Sequence, residues 1–216
     1  MQEEKKGYFI VLEGPDGAGK TTQLRLLADR LQLAGYQLVI TREPGGTRLG
    51  EELREIILRP RQEGIVPEAE LFLYLACRAQ LVQEVIVPAL AKGKIVLCDR
   101  FSDSTFAYQG GGRGFPREIL AFLNRVAVGD LEPDCVVILD LPPEEGLKRG
   151  KKCQKLDRLE TEKIEFHRRV REEYLRRAAS GDRRYALIDA RGSIEEVHQR
   201  VWKAVSYRLP IRAEEE

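Results

Sequence analysis

The run Gly14-Pro15-Asp16-Gly17-Ala18-Gly19-Lys20-Thr21-Thr22 gathers the groups needed to hold a polyphosphate. It fits Gly-x-x-x-x-Gly-Lys-Ser/Thr, in which glycines let successive backbone N–H groups turn toward one point. Lys20 would reach the β and γ phosphates of a nucleoside triphosphate, and the Thr21 hydroxyl would ligate magnesium. A second group, Ile95-Val-Leu-Cys-Asp99-Arg100, ends an apolar run on a carboxylate followed by a guanidinium. Asp99 reads as the magnesium-side partner of the phosphate loop, or else as a cap for Phe101 to Thr105. Arg100 would stand at the carboxyl-terminal edge of a sheet, where ligands of open α/β folds bind. Together the groups point to ATP and magnesium. They leave the acceptor unnamed.

Both groups need a strand behind them. Apolar, β-branched runs occur at Tyr8–Glu13, 37–41, Ile95–Asp99 and 135–141, with a weaker one at Tyr185–Asp189. Helical periodicity fills the intervals. Leu24, Leu27, Leu31 and Ala34 mark one face of a helix that Gly35 closes. A long apolar helix is predicted over 68–90 with Pro88 in its last turn, a shorter one over 119–128, and a charged one over 160–179. Residues 194–207 turn Ile194, Val197, Val201 and Val205 toward a core. Strands alternating with helices predict an α/β chain, a five-stranded parallel sheet with helices on both faces. The least hydrophobic internal stretch, 148–155, reads as an exposed loop, so that 148–158 forms a mobile lid within a single domain spanning 1–216.

At 216 residues the chain can bury a full core, and 33% of it is charged. A net charge of only +1 excludes a global field for nucleic acid or membrane, so phosphate-binding charge must be local. Cys77, Cys98, Cys135 and Cys153 lack ligand spacing and read as reduced thiols. Met1 to Lys6 lack the apolar core of a signal peptide, and no apolar run approaches membrane-spanning length. A soluble, cytoplasmic protein is expected.

Three strings bring a family into view. Thr41-Arg-Glu-Pro-Gly-Gly-Thr47, Asp99-Arg-Phe-Ser-Asp-Ser-Thr-Phe-Ala-Tyr-Gln-Gly-Gly-Gly-Arg-Gly114 and Leu156-Asp-Arg-Leu-Glu160 resemble bacterial thymidylate kinases, in order, over Tyr8 to Tyr207. The resemblance implies the P-loop NTPase fold, a homodimer, and transfer of the ATP γ-phosphoryl group to thymidine monophosphate. The diphosphate formed would feed deoxythymidine triphosphate synthesis. By position, the resemblance implies that Asp16 faces the deoxyribose 3′-hydroxyl and the phosphates. It sets Arg42 and Glu43 beside the acceptor phosphate with Arg54 nearby, and Arg100 on that phosphate. Arg78 would bond the thymine edge, and Ser104, Thr105, Tyr108 and Gln109 would line the nucleoside pocket. The thymine-stacking aromatic of the family corresponds to Tyr74, leaving Phe72 for the core.

Some members of that family carry a basic residue where this chain has Gly17. In members without it, a lid residue helps neutralise the transferring group. Lys148, Arg149, Lys151, Lys152 and Lys155 offer that charge, while Cys153 stands opposite a lid arginine of some relatives. Arg149 is the first candidate, because a guanidinium clamps two oxygens, and Lys152 is the second.

The residues themselves agree. Arg78 sits on an apolar helix face, so it either snorkels to water or meets a hydrogen-bond acceptor such as a base carbonyl. An acceptor phosphate oxygen is already anionic and needs no general base. A deoxynucleoside kinase on the same fold would need one. Other nucleoside monophosphate kinases and a non-kinase P-loop switch are further alternatives. His167 and His198 read as surface residues, and Arg168, Arg169, Arg171, Arg176 and Arg177 as a solvated face. Residues 110–112 read as a mobile pocket rim or as a simple turn.

Overall fold

The five apolar runs form one parallel sheet: β1 Tyr8–Glu13, β2 Leu38–Arg42, β3 Ile95–Asp99, β4 Cys135–Asp140 and β5 Tyr185–Asp189. The computed structural model describes residues 7–60, 63–150 and 158–209. Strand order is β2-β3-β1-β4-β5. After β1 the chain moves toward one edge, and after β3 it crosses to the other. The crevice at that switch point opens between the carboxyl ends of β1 and β3. Pairing of Leu12 with Asp99 levels those two ends, so the loops after them emerge side by side. This is why two motifs some 80 positions apart share one site.

Nine helices are described: α1 Lys20–Leu33, α2 Arg48–Leu58, α3 Pro67–Leu81, α4 Val87–Ala91, α5 Ser102–Thr105, α6 Arg117–Val128, α7 Pro143–Gly150, α8 Ile164–Ala178 and α9 Ile194–Ser206. Alternate residues of β1 serve opposite faces of the sheet. Ile10 and Leu12 pack with Leu24, Leu27 and Leu31 of α1 and Val197, Val201 and Val205 of α9. Phe9 and Val11 pack with Leu81, Val82 and Ile86 on the other side. Gly35, at φ 79°, ends α1 as expected.

Several local expectations are corrected. β2 runs one residue later than predicted, and β4 stops at Asp140. The predicted 68–90 helix is α3 and α4 joined by a π-helical stretch, Val82–Ile86. The wider turn takes the chain past Pro88, which lacks an N–H to donate. Residues 67–91 therefore form one continuous helical run, long and apolar enough by length and composition to cross a membrane. That overturns the expectation that no run approaches such a length, although Leu71, Leu75, Leu81 and Ile86 lie in the protein core.

The helix α7 occupies the start of the stretch read as a loop. Residues 151–157 of the expected lid lie outside the described residues. The charged helix begins at Ile164, four residues later than predicted. His167 on it is 2% exposed, not a surface residue, because α8 packs across a second π-helical stretch, Phe106–Gly112. A Cβ on Gly112 would lie 2.4 Å from the Phe166 ring, so residues 110–112 are a packing seam and neither a rim nor a free turn. Of the arginines of α8, Arg168, Arg169 and Arg176 are exposed as expected, but two are tethered inward. Arg171 forks onto Asp140 at 2.7 and 2.8 Å, and Arg177 pairs with Asp103. Phe72 and Ile194, expected in the core, are both more than half exposed.

Candidate active site

The phosphate loop turns sharply between β1 and α1. Gly17 has φ 74°, a left-handed conformation that a side chain resists. Lys20 opens α1, and its Nζ donates to the carbonyls of Gly14 and Pro15 at 3.0 and 2.8 Å. Burial, then Arg100 nearby, lowers its pKa to about 8. Thr21 Oγ1 donates to Asp99 Oδ2 at 2.7 Å, so the two oxygens expected to serve magnesium are together. Among the described residues there is no cluster of three or more His, Cys, Asp or Glu that could cage a metal. A hydroxyl and one carboxylate suit magnesium, which keeps waters and binds substrate phosphates.

A cavity of about 610 Å³ opens over the loop. One end is lined by Asp16, Gly17, Gly19, Lys20, Thr21, Thr22 and Asp99. The walls beyond carry Arg42 from the end of β2, Glu43 just after it, Arg54 from α2, and Tyr74 and Arg78 from α3. Arg100, Ser104, Thr105, Tyr108 and Gln109 follow from the loop after β3 and the helices it enters. Arg149 reaches the rim from the last turn of α7, with Nη1 3.3 Å from the Ala190 carbonyl. Gly14, Pro15 and Ala18 of the loop are not among the residues lining the cavity, and Lys152 lies outside the described residues. Pro44, Leu159 and Glu160, which stand in the family strings without an assigned role, and Leu58, which does not, complete the wall.

At the centre stand Arg100, Asp16 and Tyr108. Arg100 takes φ 72°, the one non-glycine residue in the left-handed region among those described, and its N–H donates to Leu12. Its Nη2 pairs with Asp16 Oδ1 and donates to the Tyr108 hydroxyl at 3.0 Å. That hydroxyl donates in turn to Asp16 Oδ2 at 2.7 Å. Burial would raise the Asp16 pKa, but Arg100 and then Lys20 hold it below its ordinary value.

Arg78 is 1% exposed, and its five N–H groups are all engaged. Nε and Nη2 fork onto Glu43, Nη1 donates to Thr105 Oγ1 and Asn124 Oδ1, and Nη2 also reaches the Phe101 carbonyl. It is neither snorkelling nor free, and a thymine carbonyl would share a donor with Thr105 or Asn124. Gln109 is likewise tied, donating to Glu70 at 3.0 Å. Glu70 also receives Arg113 and Arg158. Glu13, Glu70, Asn124 and Tyr174 form the buried layer behind the wall. In the sequence, only the carboxylate ending the apolar run at Glu13 hinted at this layer.

The comparisons with known proteins follow the same outline. A family model described as "Thymidylate kinase" matches residues 12–201. The chain belongs to the thymidylate kinase family. It is 52% identical over 193 residues to the thymidylate kinase of Pseudomonas fluorescens (strain Pf0-1), covering 89% of this chain and 92% of the relative. It is also 52% identical over 200 residues to that of Pelotomaculum thermopropionicum, covering 92% and 93%. A crystal structure of thymidylate kinase from Ehrlichia chaffeensis superposes with a TM-score of 0.77 at 34% identity, covering 93% of this chain and 99% of the other. In this thymidylate kinase-family chain the long-range match thus includes both motif groups and every cavity wall described above.

Proposed function

We propose that this enzyme transfers the γ-phosphoryl group of ATP to thymidine monophosphate, giving thymidine diphosphate and ADP, with magnesium as the companion ion. One observation carries the reading. Arg100 Nη1 lies 3.1 Å from the Gly14 carbonyl, so a guanidinium suited to an acceptor phosphate abuts the loop suited to the donor. Asp16 and Tyr108 hold its other terminal nitrogen and so fix the guanidinium in the cavity wall. Arg42 and Arg54 flank the same space and add positive charge for the acceptor phosphate.

Catalysis is then mainly positioning and charge stabilisation. The backbone N–H groups of the loop and Lys20 hold the β and γ phosphates. Arg100 holds the acceptor phosphate in line, and its attacking oxygen needs no base. Arg149, at the rim, supplies charge toward the transferring group. Thr21 and Asp99 would hold magnesium, which neutralises charge on the phosphates when bound. The carboxylates Asp16, Glu43 and Asp99 are each already bonded to Arg100, Arg78 and Thr21, which speaks against a hydroxyl-activating base. Incubating the enzyme with ATP, magnesium and either thymidine or its monophosphate tests the reading. Phosphorylation of the nucleoside alone, or ATP hydrolysis with neither accepted, would overturn it.

The same reading includes a homodimer. Helix α6 exposes Ile119, Phe122 and Val126 at helical spacing, and α3, packed against it, exposes Phe72. A second copy would cover this apolar face. Sedimentation of Phe122→Glu tests it, a monomer being expected. The free, buried Cys77, Cys98 and Cys135 agree with work in the reducing cytoplasm.

A further inference from the structure

Behind Arg100 lies a carboxylate that touches no substrate position. Glu13, the last residue of β1, is fully buried. Its Oε1 accepts the backbone N–H groups of Phe101 and Ser104 at 2.7 and 3.2 Å. Its Oε2 accepts two hydroxyls, Ser104 Oγ at 2.7 Å and Tyr174 at 2.9 Å. The same two hydroxyl oxygens lie 3.3 and 3.1 Å from Arg100 Nη1.

A hydroxyl has one hydrogen to give, whereas an ionised carboxylate only accepts. Facing an ionised Oε2, both hydroxyls donate to it in preference to each other, although their oxygens lie 2.9 Å apart, so the lone pairs left over turn toward Arg100. Arg100 can only donate. The direction of every hydrogen in the chain is therefore set by Glu13. We propose that Glu13 and Tyr174 are positioning residues that aim Arg100 at the acceptor anion, through hydroxyls that donate to Glu13 and accept from Arg100. The proposal rests on the assignment of Arg100 to the acceptor phosphate made above. It also gives Ser104 a role distinct from pocket lining, since its hydroxyl is engaged behind the arginine.

The isosteric change Glu13→Gln makes the distinction sharp. Its carbonyl oxygen must stay on the two backbone N–H groups, which cannot turn round. Its NH2 then faces the hydroxyls and donates to them, driving their hydrogens against the Arg100 donors. Tyr174→Phe is milder: it keeps the ring in the core and deletes one acceptor. Loss of a hydrogen bond to a charged group predicts a fall in kcat/KM for thymidine monophosphate of about ten- to a hundredfold in either variant. KM for ATP should hold within about twofold, an asymmetry that general loosening of the fold would not give. The double variant should be no worse than Glu13→Gln alone, because both changes break one chain.

Steady-state kinetics of wild type, both single variants, the double variant and Arg100→Ala decide the matter. A folded Tyr174→Phe with wild-type kinetics, equal losses toward both substrates, or multiplying losses in the double variant would each overturn the proposal. If Glu13→Gln does not fold, Tyr174→Phe decides alone. An Arg100→Ala variant that is impaired toward the monophosphate while Tyr174→Phe is not would sink the positioning role and spare the assignment of Arg100. If Arg100→Ala also keeps its affinity for the monophosphate, or the wild type ignores it, both fall together.

Discussion

Gly17 and Gly146 meet backbone to backbone: a Cβ on Gly17 would lie 2.2 Å from the Gly146 carbonyl oxygen. A Cβ on Gly146 would lie 2.2 Å from the carbonyl oxygen of Asp16. The phosphate loop and α7 therefore touch where neither tolerates a side chain. A basic residue at position 17 has no room, and α7 brings Arg149 to the cavity one turn further on. Gly146→Ala should lower kcat by roughly tenfold or more, since ångström-scale displacement of a charge-stabilising group is costly. Arg149→Ala should lower kcat and kcat/KM together, as expected of a group that acts in the transition state. Wild-type turnover in both variants would separate α7 from catalysis.

Lys20 and Asp99 should matter for turnover far more than for folding. Removing one group that stabilises developing charge costs about 2.7–4 kcal/mol in the barrier. Lys20→Ala and Asp99→Asn should keep the wild-type circular dichroism spectrum and lose at least a hundredfold in kcat. Retention of a tenth of wild-type kcat in either would count against the assignment.

Arg78 offers a different test, because its partners lie inside the protein. Arg78→Ala would leave Glu43, 5% exposed, as a buried carboxylate without its partner, and Thr105 and Asn124 without a donor. Burial already pushes the Glu43 pKa up, against the pull of Arg78. A loss of about 3–5 kcal/mol in unfolding free energy is expected. The pair Arg78→Met with Glu43→Leu should be less destabilised than Arg78→Ala alone. Urea denaturation checks both, and a loss below about 1 kcal/mol in Arg78→Ala would mean that the buried network contributes little.

What the sequence revealed follows from the range of the interactions involved. The bounds of β1 and β3 were legible because a strand buried on both faces must be apolar along its length, whereas β5 is a half-exposed edge strand and gave the weaker signal. The phosphate loop was legible because its chemistry is contiguous. The partners of Arg78 were not, since Glu43 and Asn124 stand 35 and 46 positions away and only the packing of α3 against both α6 and the segment after β2 unites them. His167 was misread because its neighbours in sequence are charged, whereas its burial depends on α8 crossing the glycine-rich π-helical stretch. Phe72 stands one position off the buried stripe of Leu71, Leu75 and Arg78, so apolar character alone misassigned it.

Tyr108 should govern the choice between deoxyribose and ribose. It lines the cavity while its hydroxyl is spent on Arg100 and Asp16, leaving none for a 2′-hydroxyl. An added hydroxyl would clash or lie buried without a partner. Comparing deoxyuridine and uridine monophosphates, Tyr108→Ala should narrow the preference for the deoxy sugar. Tyr108→Phe should keep that preference and lose activity on both through a looser Arg100. An unchanged preference in Tyr108→Ala would remove Tyr108 from the role.

The last prediction concerns pH and carries a sign. Burial, followed by the nearby charge of Asp103, pushes the Glu13 pKa from its ordinary 4.5 up to about 7, against Arg100, the Ser104 hydroxyl and the Phe101 N–H. Between those two values the folded protein holds more protons at this site than the unfolded chain. Raising the pH through that window therefore favours unfolding at this site, by at most about 3 kcal/mol in all. Glu13→Gln cannot titrate there. The unfolding free energy of wild type relative to Glu13→Gln should thus fall between pH 5 and pH 8, and level off above. Denaturant titrations of both proteins at half-unit intervals measure the difference, and a value constant across the window would remove Glu13 as the source. Over the same window the carboxylate gains the charge that turns the Ser104 and Tyr174 hydroxyls toward it. The form that aims Arg100 is thus the less stable one, so the charge on Glu13 costs stability where it serves the arginine.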